Sequence, residues 1–161
     1  MFRLSVRTNS WMISAVLMAI LLGGIVYSHI AFFPSYLSGL PDSAVLVNGP
    51  YPINDGHFWT LIHPLAILSL IFSLALNWKV GARRKLIAIT LVVYVVSMIV
   101  TSLYFVPELM AFRGSPNSGI SPAEWYARGQ RWQHLSWVRG TVMGLGYLAL
   151  LLALVVREDS R

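Results

Sequence analysis

The 161-residue sequence contains no cysteine. This absence excludes a disulfide framework, a thiolate nucleophile, a thiolate metal site and covalent attachment of haem. It also excludes reduction of a quinone by a cysteine pair, and it leaves the redox state of the surrounding compartment undetermined. Any chemistry of this chain must therefore use oxygen and nitrogen side chains.

Charged residues are also scarce. They make up 11% of the chain, whereas 57% of its residues are hydrophobic. Only six side chains are acidic, against twelve lysines and arginines. This composition is typical of an integral membrane protein and not of a soluble domain.

Four long apolar runs cover most of the chain, at about residues 11–33, 58–78, 86–106 and 135–156. Each reaches the roughly 20 residues that a helix needs to cross a hydrocarbon core of ~30 Å. The first run is longer than the usual core of a signal peptide and lacks a clean cleavage site, so we interpret it as a retained helix. The sequence predicts an all-α membrane protein with a single domain, residues 1–161, built as a bundle of four transmembrane helices.

Basic residues are distributed unequally between the two ends of these spans. One end carries Arg3, Arg7, Lys79, Arg83, Arg84, Lys85, Arg157 and Arg161. The other end carries Arg113, Arg128, Arg131 and Arg139. Because cytoplasmic segments retain lysine and arginine, both termini are predicted to be cytoplasmic, in a multi-pass protein of a bacterial inner membrane. The basic excess also predicts contact with lipid headgroups, and it does not indicate a nucleic-acid partner.

The two outer connections carry different signals. The first, residues 34–56, is long, contains four prolines and an Asn48-Gly49 turn, and is predicted to fold as a cap over the outer mouth of the bundle. The second ends in Ser121-Pro122-Ala123-Glu124. This is a capping box with proline at the first helical position, so it predicts the start of the fourth helix.

A polar stripe follows the third span. Its members are Tyr94, Ser97, Thr101, Tyr104 and Glu108. The i, i+3, i+4 spacing places them on one face of a helix, where they need polar partners inside a bundle. We interpret the lower part, Tyr94 and Ser97, as hydrogen bonding between helices. The upper part, Tyr104 and Glu108, is the candidate site.

All four histidines are predicted to lie in the outer third of the membrane or at its outer interface. This follows from counting about 1.5 Å of rise per residue from the cytoplasmic charges. The histidines are His29, His57, His63 and His134. Of the two histidines in the second helix, His63 is predicted to face the bundle and His57 to belong to the junction with the cap. Arg139 is expected just inside the outer boundary, where Glu108 is the predicted partner for an ion pair.

Three interpretations of this constellation stay open. In the first, a metal ion or a haem is held by residues from separate helices. The candidate ligands are His29, His63, His134 and Glu108, although no Glu-x-x-His spacing is present. In the second, a pocket without a cofactor uses Glu108 or His134 as a base, with Arg139 and Tyr104 stabilising an oxyanion. In the third, these side chains are structural and belong to an aromatic belt at the interface.

Short motifs in the third and fourth spans are similar to those of a known family of membrane proteins. Val106-Pro107-Glu108 closes the third span, and a Trp-x-x-x-x-x-Val-Arg run from Trp132 to Arg139 enters the fourth. With four short spans and a long proline-bearing first outer loop, the chain resembles the anthrone-oxygenase-like family of small membrane proteins over nearly its whole length. The resemblance implies an oxygenase that acts on an apolar, aromatic, enolisable substrate.

Two functions of different classes follow, and whether the protein is an enzyme is left open by the sequence. The first is a membrane oxidoreductase of the monooxygenase type, acting on a lipophilic small molecule from the outer leaflet, with no cofactor or with a histidine-ligated metal or haem. The second is a non-enzymatic lipid- or ligand-binding subunit of a homo-oligomer or a larger membrane assembly. Four spans without internal repeats do not indicate a transporter.

Overall fold

The computed structural model describes residues 6–156, without the side chains of Arg7, Thr8 and Leu154. Three of the arginines used for the orientation, Arg3, Arg157 and Arg161, lie outside the described residues. Within residues 6–156 the chain is helical and contains no β-strand.

Seven α-helices occur in this described range. They are α1 (Val6–Tyr27), α2 (Phe33–Ser38), α3 (Val45–Asn48), α4 (Gly56–Leu76), α5 (Gly81–Val100), α6 (Val106–Arg113) and α7 (Pro122–Val155). Four continuous helical segments are long and apolar enough to cross a membrane: Asn9–Ser38, Gly56–Leu76, Gly81–Arg113 and Pro122–Ala153. The predicted all-α, four-helix membrane bundle is therefore confirmed.

Two of the four segments contain a π-helical turn. Ser28–Phe32 joins α1 to α2, and Thr101–Phe105 joins α5 to α6. A π turn widens the helix because each carbonyl pairs one residue further along than in an α-helix, and such turns are frequent at functional sites. Both turns lie toward the end of the bundle that carries residues 34–56, which we call the outer end.

The long helices form a ring in which α1 and α5 each pack between α4 and α7. Consecutive helices joined by short connections run antiparallel, as in other up-and-down bundles. An even number of crossings places both ends of the described chain on the same side of the membrane. This agrees with the sequence-based expectation that the termini share one compartment.

The predicted start of the fourth span is confirmed by its cap. The Oγ of Ser121 accepts a hydrogen bond of 3.3 Å from the backbone N–H of Glu124, and Pro122 is the first helical residue. Because α7 has 34 residues, its length is about 50 Å at 1.5 Å per residue. Its outer turns therefore extend beyond the hydrocarbon core and reach the cap.

Two hydrophobic clusters divide the bundle along its axis. The inner cluster consists of Trp11, Ala15, Met18, Leu21, Ile25, Ile62, Ala66, Leu70, Ile87, Tyr94, Met143, Leu150 and Ala153. The outer cluster consists of Phe33, Tyr36, Leu37, Leu40, Ala44, Phe105, Phe112, Trp125 and Trp132. Residues 34–56 thus contribute four side chains to a second core, and they fold over the outer end of the bundle.

Candidate functional site

A layer of polar side chains separates the two hydrophobic clusters. On α7, Ser136 and Arg139 lie between Trp132 of the outer cluster and Met143 of the inner cluster. On the first segment His29 lies between Ile25 and Phe33 in the same way, and on the third Thr101 lies between Tyr94 and Phe105. We call His29, Thr101, Ser136 and Arg139 the polar layer.

Arg139 is the charged member of the polar layer. Its Nη1 donates to the Oγ1 of Thr101 at 2.6 Å, and its Nη2 donates to the Oγ of Ser136 at 3.0 Å. The guanidinium carbon lies 4.2 Å from the ring centroid of Phe105. Its Nε is buried without a hydrogen-bond partner, and no carboxylate of the described residues pairs with it. A cation at this depth without an acid is expensive, and such residues usually mark function.

Glu108 pairs with Arg128, so the predicted ion pair with Arg139 is wrong. The Nη2 of Arg128 lies 2.8 Å from Oε1 and 3.0 Å from Oε2 of Glu108, and its Nε lies 3.2 Å from Oε2. The physical reason is depth. Arg139 is level with Thr101, and Glu108 lies seven residues further out, about 10 Å along the helix.

This pair gives a prediction for Glu108→Gln. Because both side chains are about a quarter exposed, we expect a loss of at most about 1 kcal/mol of unfolding free energy. The hydrogen bonds of Arg139 should not change, since Glu108 does not contact the polar layer. The measurement is denaturant unfolding in detergent micelles.

Exposed Glu124 offers a matched control, because Glu124→Gln removes a charge on the same surface without breaking this pair. A double-mutant cycle with Arg128→Gln isolates the pair from other effects. A loss of unfolding free energy well above about 1 kcal/mol in Glu108→Gln would contradict its assignment to a partly exposed surface pair.

His29 is buried, with 3% of its surface exposed. Its Nδ1 lies 2.8 Å from the carbonyl oxygen of Ile25. Its Nε2 is buried and has no hydrogen-bond partner within the part of the chain described. Aromatic rings surround the imidazole, with centroids at 4.8 Å for Trp137, 5.3 Å for Phe33 and 6.1 Å for Trp132.

Helix α7 contacts both π turns through neighbouring side chains. The Nε1 of Trp132 donates to the carbonyl of Phe105 at 3.1 Å, and the Nε2 of Gln133 donates to the carbonyl of His29 at 3.4 Å. A widened turn weakens the regular backbone ladder, so donors from a neighbouring helix stabilise it. These contacts hold His29 and Thr101 at the level of Arg139.

His63 and Tyr94 form a second polar contact, between α4 and α5. The Nδ1 of His63 and the phenolic oxygen of Tyr94 are 2.6 Å apart, and Trp59 stacks on the imidazole at 5.6 Å. Tyr94 thus makes the hydrogen bond between helices that the sequence predicted, and His63 faces the bundle as predicted. His57 is exposed at the beginning of α4.

Two predicted catalytic residues lie away from Arg139. His134 is exposed and lines an open surface groove of about 460 Å³. The groove is lined by Pro34, Ser38, Gln130, Gln133, His134 and Trp137. Tyr104 packs against the outer cluster, with its ring centroid 5.0 Å from that of Phe105. Of the predicted catalytic set, Glu108, His134, Arg139 and Tyr104, Arg139 alone belongs to the polar layer.

The structure does not gather the four predicted metal ligands into one group. Among residues 6–156, no three histidine, aspartate or glutamate side chains are placed to hold one ion. The Nδ1 atoms of His29 and His63 are engaged, and Glu108 is paired with Arg128. His134 lies at the surface groove. Within the described residues these four side chains therefore do not form one shared site for a metal ion.

The structure adds two hydroxyl residues that the sequence interpretation did not assign to the site. Thr101 belonged to the polar stripe, but the expected depth favoured Tyr104 and Glu108. Ser136 is three residues before Arg139, a spacing that places both on one helix face. That spacing is the signal that could have identified Ser136.

Comparison of the chain with protein-family models, with curated proteins and with solved structures gave no match. The resemblance to the anthrone-oxygenase-like family therefore stays a prediction.

Proposed function

We propose that the protein binds a lipophilic small molecule through a negatively charged oxygen at Arg139, and that it acts on this molecule as an oxidoreductase of the monooxygenase type. The observation that carries the proposal is the partly buried guanidinium of Arg139, whose Nε is fully buried and which contacts two hydroxyl groups and no carboxylate of the described chain. The resemblance to the anthrone-oxygenase-like family supports the reaction class.

The chemistry of Arg139 favours an oxyanion as its partner. A guanidinium stays charged in a protein, and in a low-dielectric interior an anion compensates the charge better than a neutral dipole does. Thr101 and Ser136 each occupy one terminal nitrogen and fix the orientation of the fork. The Nε–H remains available as a donor. An enolate or phenolate oxygen supplies both the negative charge and the acceptor.

The surroundings of the polar layer suit an aromatic ligand. Phe105 lies against the guanidinium, and Trp132 packs edge-on against Phe105 at 5.6 Å. Aromatic walls favour flat ligands through stacked or edge-to-face contacts. An aromatic, enolisable molecule would place its ring against these walls and its charged oxygen at Arg139.

The surface groove suggests how such a molecule would enter. Trp137 lines this groove and also contacts the ring of His29. A molecule dissolved in the outer leaflet would therefore reach the polar layer by displacing the partly exposed side chain of Trp137. In this proposal the protein lies among the lipids of a bacterial inner membrane, and both of its termini are cytoplasmic. It is a homo-oligomer or part of a larger membrane assembly.

Replacement of Arg139 tests the proposal. The probe is a 3-alkyl-2-hydroxy-1,4-naphthoquinone, which is an anion at neutral pH, and its 2-methoxy ether is the uncharged counterpart. Wild type in detergent should prefer the anion over the ether by roughly 10- to 100-fold, the equivalent of one charged hydrogen bond. Arg139→Gln should remove this preference. Quenching of tryptophan fluorescence reports binding.

Arg131→Gln is the matched control, because Arg131 is exposed on the same helix and its loss lowers the net charge equally. This variant should keep the preference for the anion. A folded Arg139→Gln protein that still preferred the anion would contradict the assignment of Arg139 as the oxyanion site.

A second candidate function is a non-enzymatic ligand-binding subunit. Two observations favour it. The groove beside the polar layer is open, and three of the four predicted catalytic residues, Tyr104, Glu108 and His134, lie outside the polar layer. Oxygen uptake by the purified protein with an enolisable lipophilic aromatic separates the two candidates. Uptake that is lost in Arg139→Gln supports the monooxygenase, whereas binding of the anion without uptake supports the ligand-binding subunit.

A further inference from the structure

The polar layer contains two buried atoms that have no hydrogen-bond partner among residues 6–156 and have opposite hydrogen-bonding character. One is the Nε of Arg139, which is always a donor. The other is the Nε2 of His29. A buried polar atom without a partner costs about 1–3 kcal/mol, so a native protein retains one chiefly where something else satisfies it.

The hydrogen bond at the other ring nitrogen of His29 determines what Nε2 can do. The carbonyl of Ile25 can only accept, so the Nδ1 of His29 must carry the proton. In the neutral imidazole the Nε2 then bears a lone pair and acts as an acceptor or a base. The polar layer therefore contains a hydrogen-bond acceptor, the Nε2 of His29, and a donor, the Nε–H of the positively charged Arg139 guanidinium.

These two atoms fit one kind of group, a hydroxyl that can ionise. Its proton would be directed at the Nε2 of His29, and its oxygen would accept from the Nε–H of Arg139. Both residues lie beside Trp132, whose ring stacks on the His29 imidazole at 6.1 Å and packs at 5.6 Å against Phe105, the ring that contacts the Arg139 guanidinium. We propose that His29 is the proton acceptor for an enol or a phenol whose oxygen is held by Arg139. This inference rests on the proposed function and specifies its substrate class and its base.

The step is a proton transfer and involves no oxidant. The O–H bond of the neutral ligand breaks, an N–H bond forms at the Nε2 of His29, and the electron pair of the O–H bond stays on oxygen. The resulting oxyanion lies between the imidazolium of His29 and the guanidinium of Arg139. Ionisation of the enol or phenol raises the electron density of the ring, and this is the activation that a reaction with oxygen requires.

No other titratable residue facing the bundle is equally suited within residues 6–156. His63 is only partly buried and its Nε2 is not among the buried atoms that lack a partner, and the carboxylate of Glu108 is paired with Arg128. His134 is exposed in the surface groove. Among the buried side chains of the described residues, His29 is therefore the histidine that combines burial with an unpartnered ring nitrogen.

The experiment uses 1-naphthol, a lipophilic phenol that is neutral at pH 7 and whose naphtholate absorbs at longer wavelength. Wild-type protein in detergent should bind it and show the naphtholate band. His29→Asn keeps an amide donor for the carbonyl of Ile25 but removes the base. This variant should lose most of the naphtholate band, because asparagine cannot accept the proton.

The hydroxynaphthoquinone anion separates this inference from the proposed function, because it needs no base. His29→Asn should bind that anion within about threefold of wild type, since the charged contact to Arg139 is unchanged. His57→Asn is the matched control and should keep both signals, because His57 is exposed at the beginning of α4. Retention of the naphtholate band in His29→Asn, or its absence in wild type, would overturn the role of His29. Unchanged binding of the anion by Arg139→Gln would overturn the proposed function instead.

A measurement on the wild type avoids any folding defect of the variants. The chain has four histidines, so labelling them with ¹⁵N gives a simple imidazole spectrum that single His→Asn changes at the other three positions assign. The Nε2 signal of His29 should move from the lone-pair range to the protonated range when 1-naphthol is added. It should not move with 1-methoxynaphthalene. An unchanged signal with 1-naphthol would refute the proton transfer.

Discussion

Trp132→Ala is expected to destabilise the protein by about 3–5 kcal/mol, the usual cost of removing a large buried aromatic side chain. Trp132 has 1% of its surface exposed. Its ring packs against Phe33, Phe105 and Phe112 with centroid distances of 4.6, 5.6 and 6.4 Å. Its removal would leave a cavity at the centre of the outer cluster. The closely packed neighbouring helices could fill this cavity only by moving.

The indole N–H makes a separate contribution. It donates to the carbonyl of Phe105 in the second π turn. Trp132→Phe removes this donor but keeps a ring in the cluster, so it should cost less than the alanine change. The part due to the lost hydrogen bond is about 1–3 kcal/mol, because the carbonyl stays buried without that partner. Comparing the unfolding free energies of the two variants therefore separates the contribution of ring packing from that of the hydrogen bond to the π turn.

The measurement is chemical unfolding in detergent micelles followed by far-UV circular dichroism, which does not depend on the tryptophan that is removed. Trp78→Ala is the matched control, because Trp78 is 57% exposed at the opposite end of the bundle. If Trp132→Ala were no more destabilising than this control, Trp132 would not be the centre of the outer cluster.

Arg83→Ala is expected to destabilise the inner end of the bundle by a comparable amount. Arg83 lies in the first turn of α5 and is only 6% exposed. Its Nη1 donates to the Oδ1 of Asn77, which ends α4, and its Nη2 donates to the carbonyl of Val156, which ends α7. The guanidinium satisfies one free carbonyl after α7 and one side-chain oxygen after α4, and its charge at the carboxyl ends of two helices is favoured by both helix dipoles.

Each hydrogen bond from a charged donor contributes about 1.5–3 kcal/mol, so losing both should clearly lower the unfolding midpoint. Arg83→Lys should recover only part of the loss, because an ammonium group cannot reach two separated acceptors as a planar fork does. Arg84→Ala is the matched control. Arg84 stacks on the Trp78 ring at 5.1 Å, and such exposed contacts contribute about 0.5–1 kcal/mol. Equal effects of the two alanine changes would contradict the bridging role of Arg83.

Arg83 has a structural role that its use in the topology prediction did not reveal. In the sequence it is one of several basic residues that indicate the cytoplasmic end of the spans. In the structure its side chain is buried and joins the ends of two helices. The number of basic residues carries the topology signal, whereas the contacts of each one depend on which helices meet beside it.

The candidate site was only partly predictable for a related reason. Arg139 and the histidines could be placed in the outer half by counting residues, and Tyr94 could be assigned to a contact between helices. The ion-pair partner of Glu108 could not be identified, since it depends on the relative height of two helices. The π turns at Ser28–Phe32 and Thr101–Phe105 change both rotation and height, and neither shows a distinct pattern of residues.

The sequence by itself determined that this protein is an α-helical membrane bundle with four spans, and where the last span begins. Those features depend on runs of consecutive apolar residues and on a local capping pattern. Only the tertiary structure decided that Arg139 meets Thr101 and Ser136, that Glu108 meets Arg128, and that His29 keeps an unpartnered nitrogen. Such contacts depend on packing between helices that are far apart in the chain, and local patterns do not encode the height or rotation at which those helices meet.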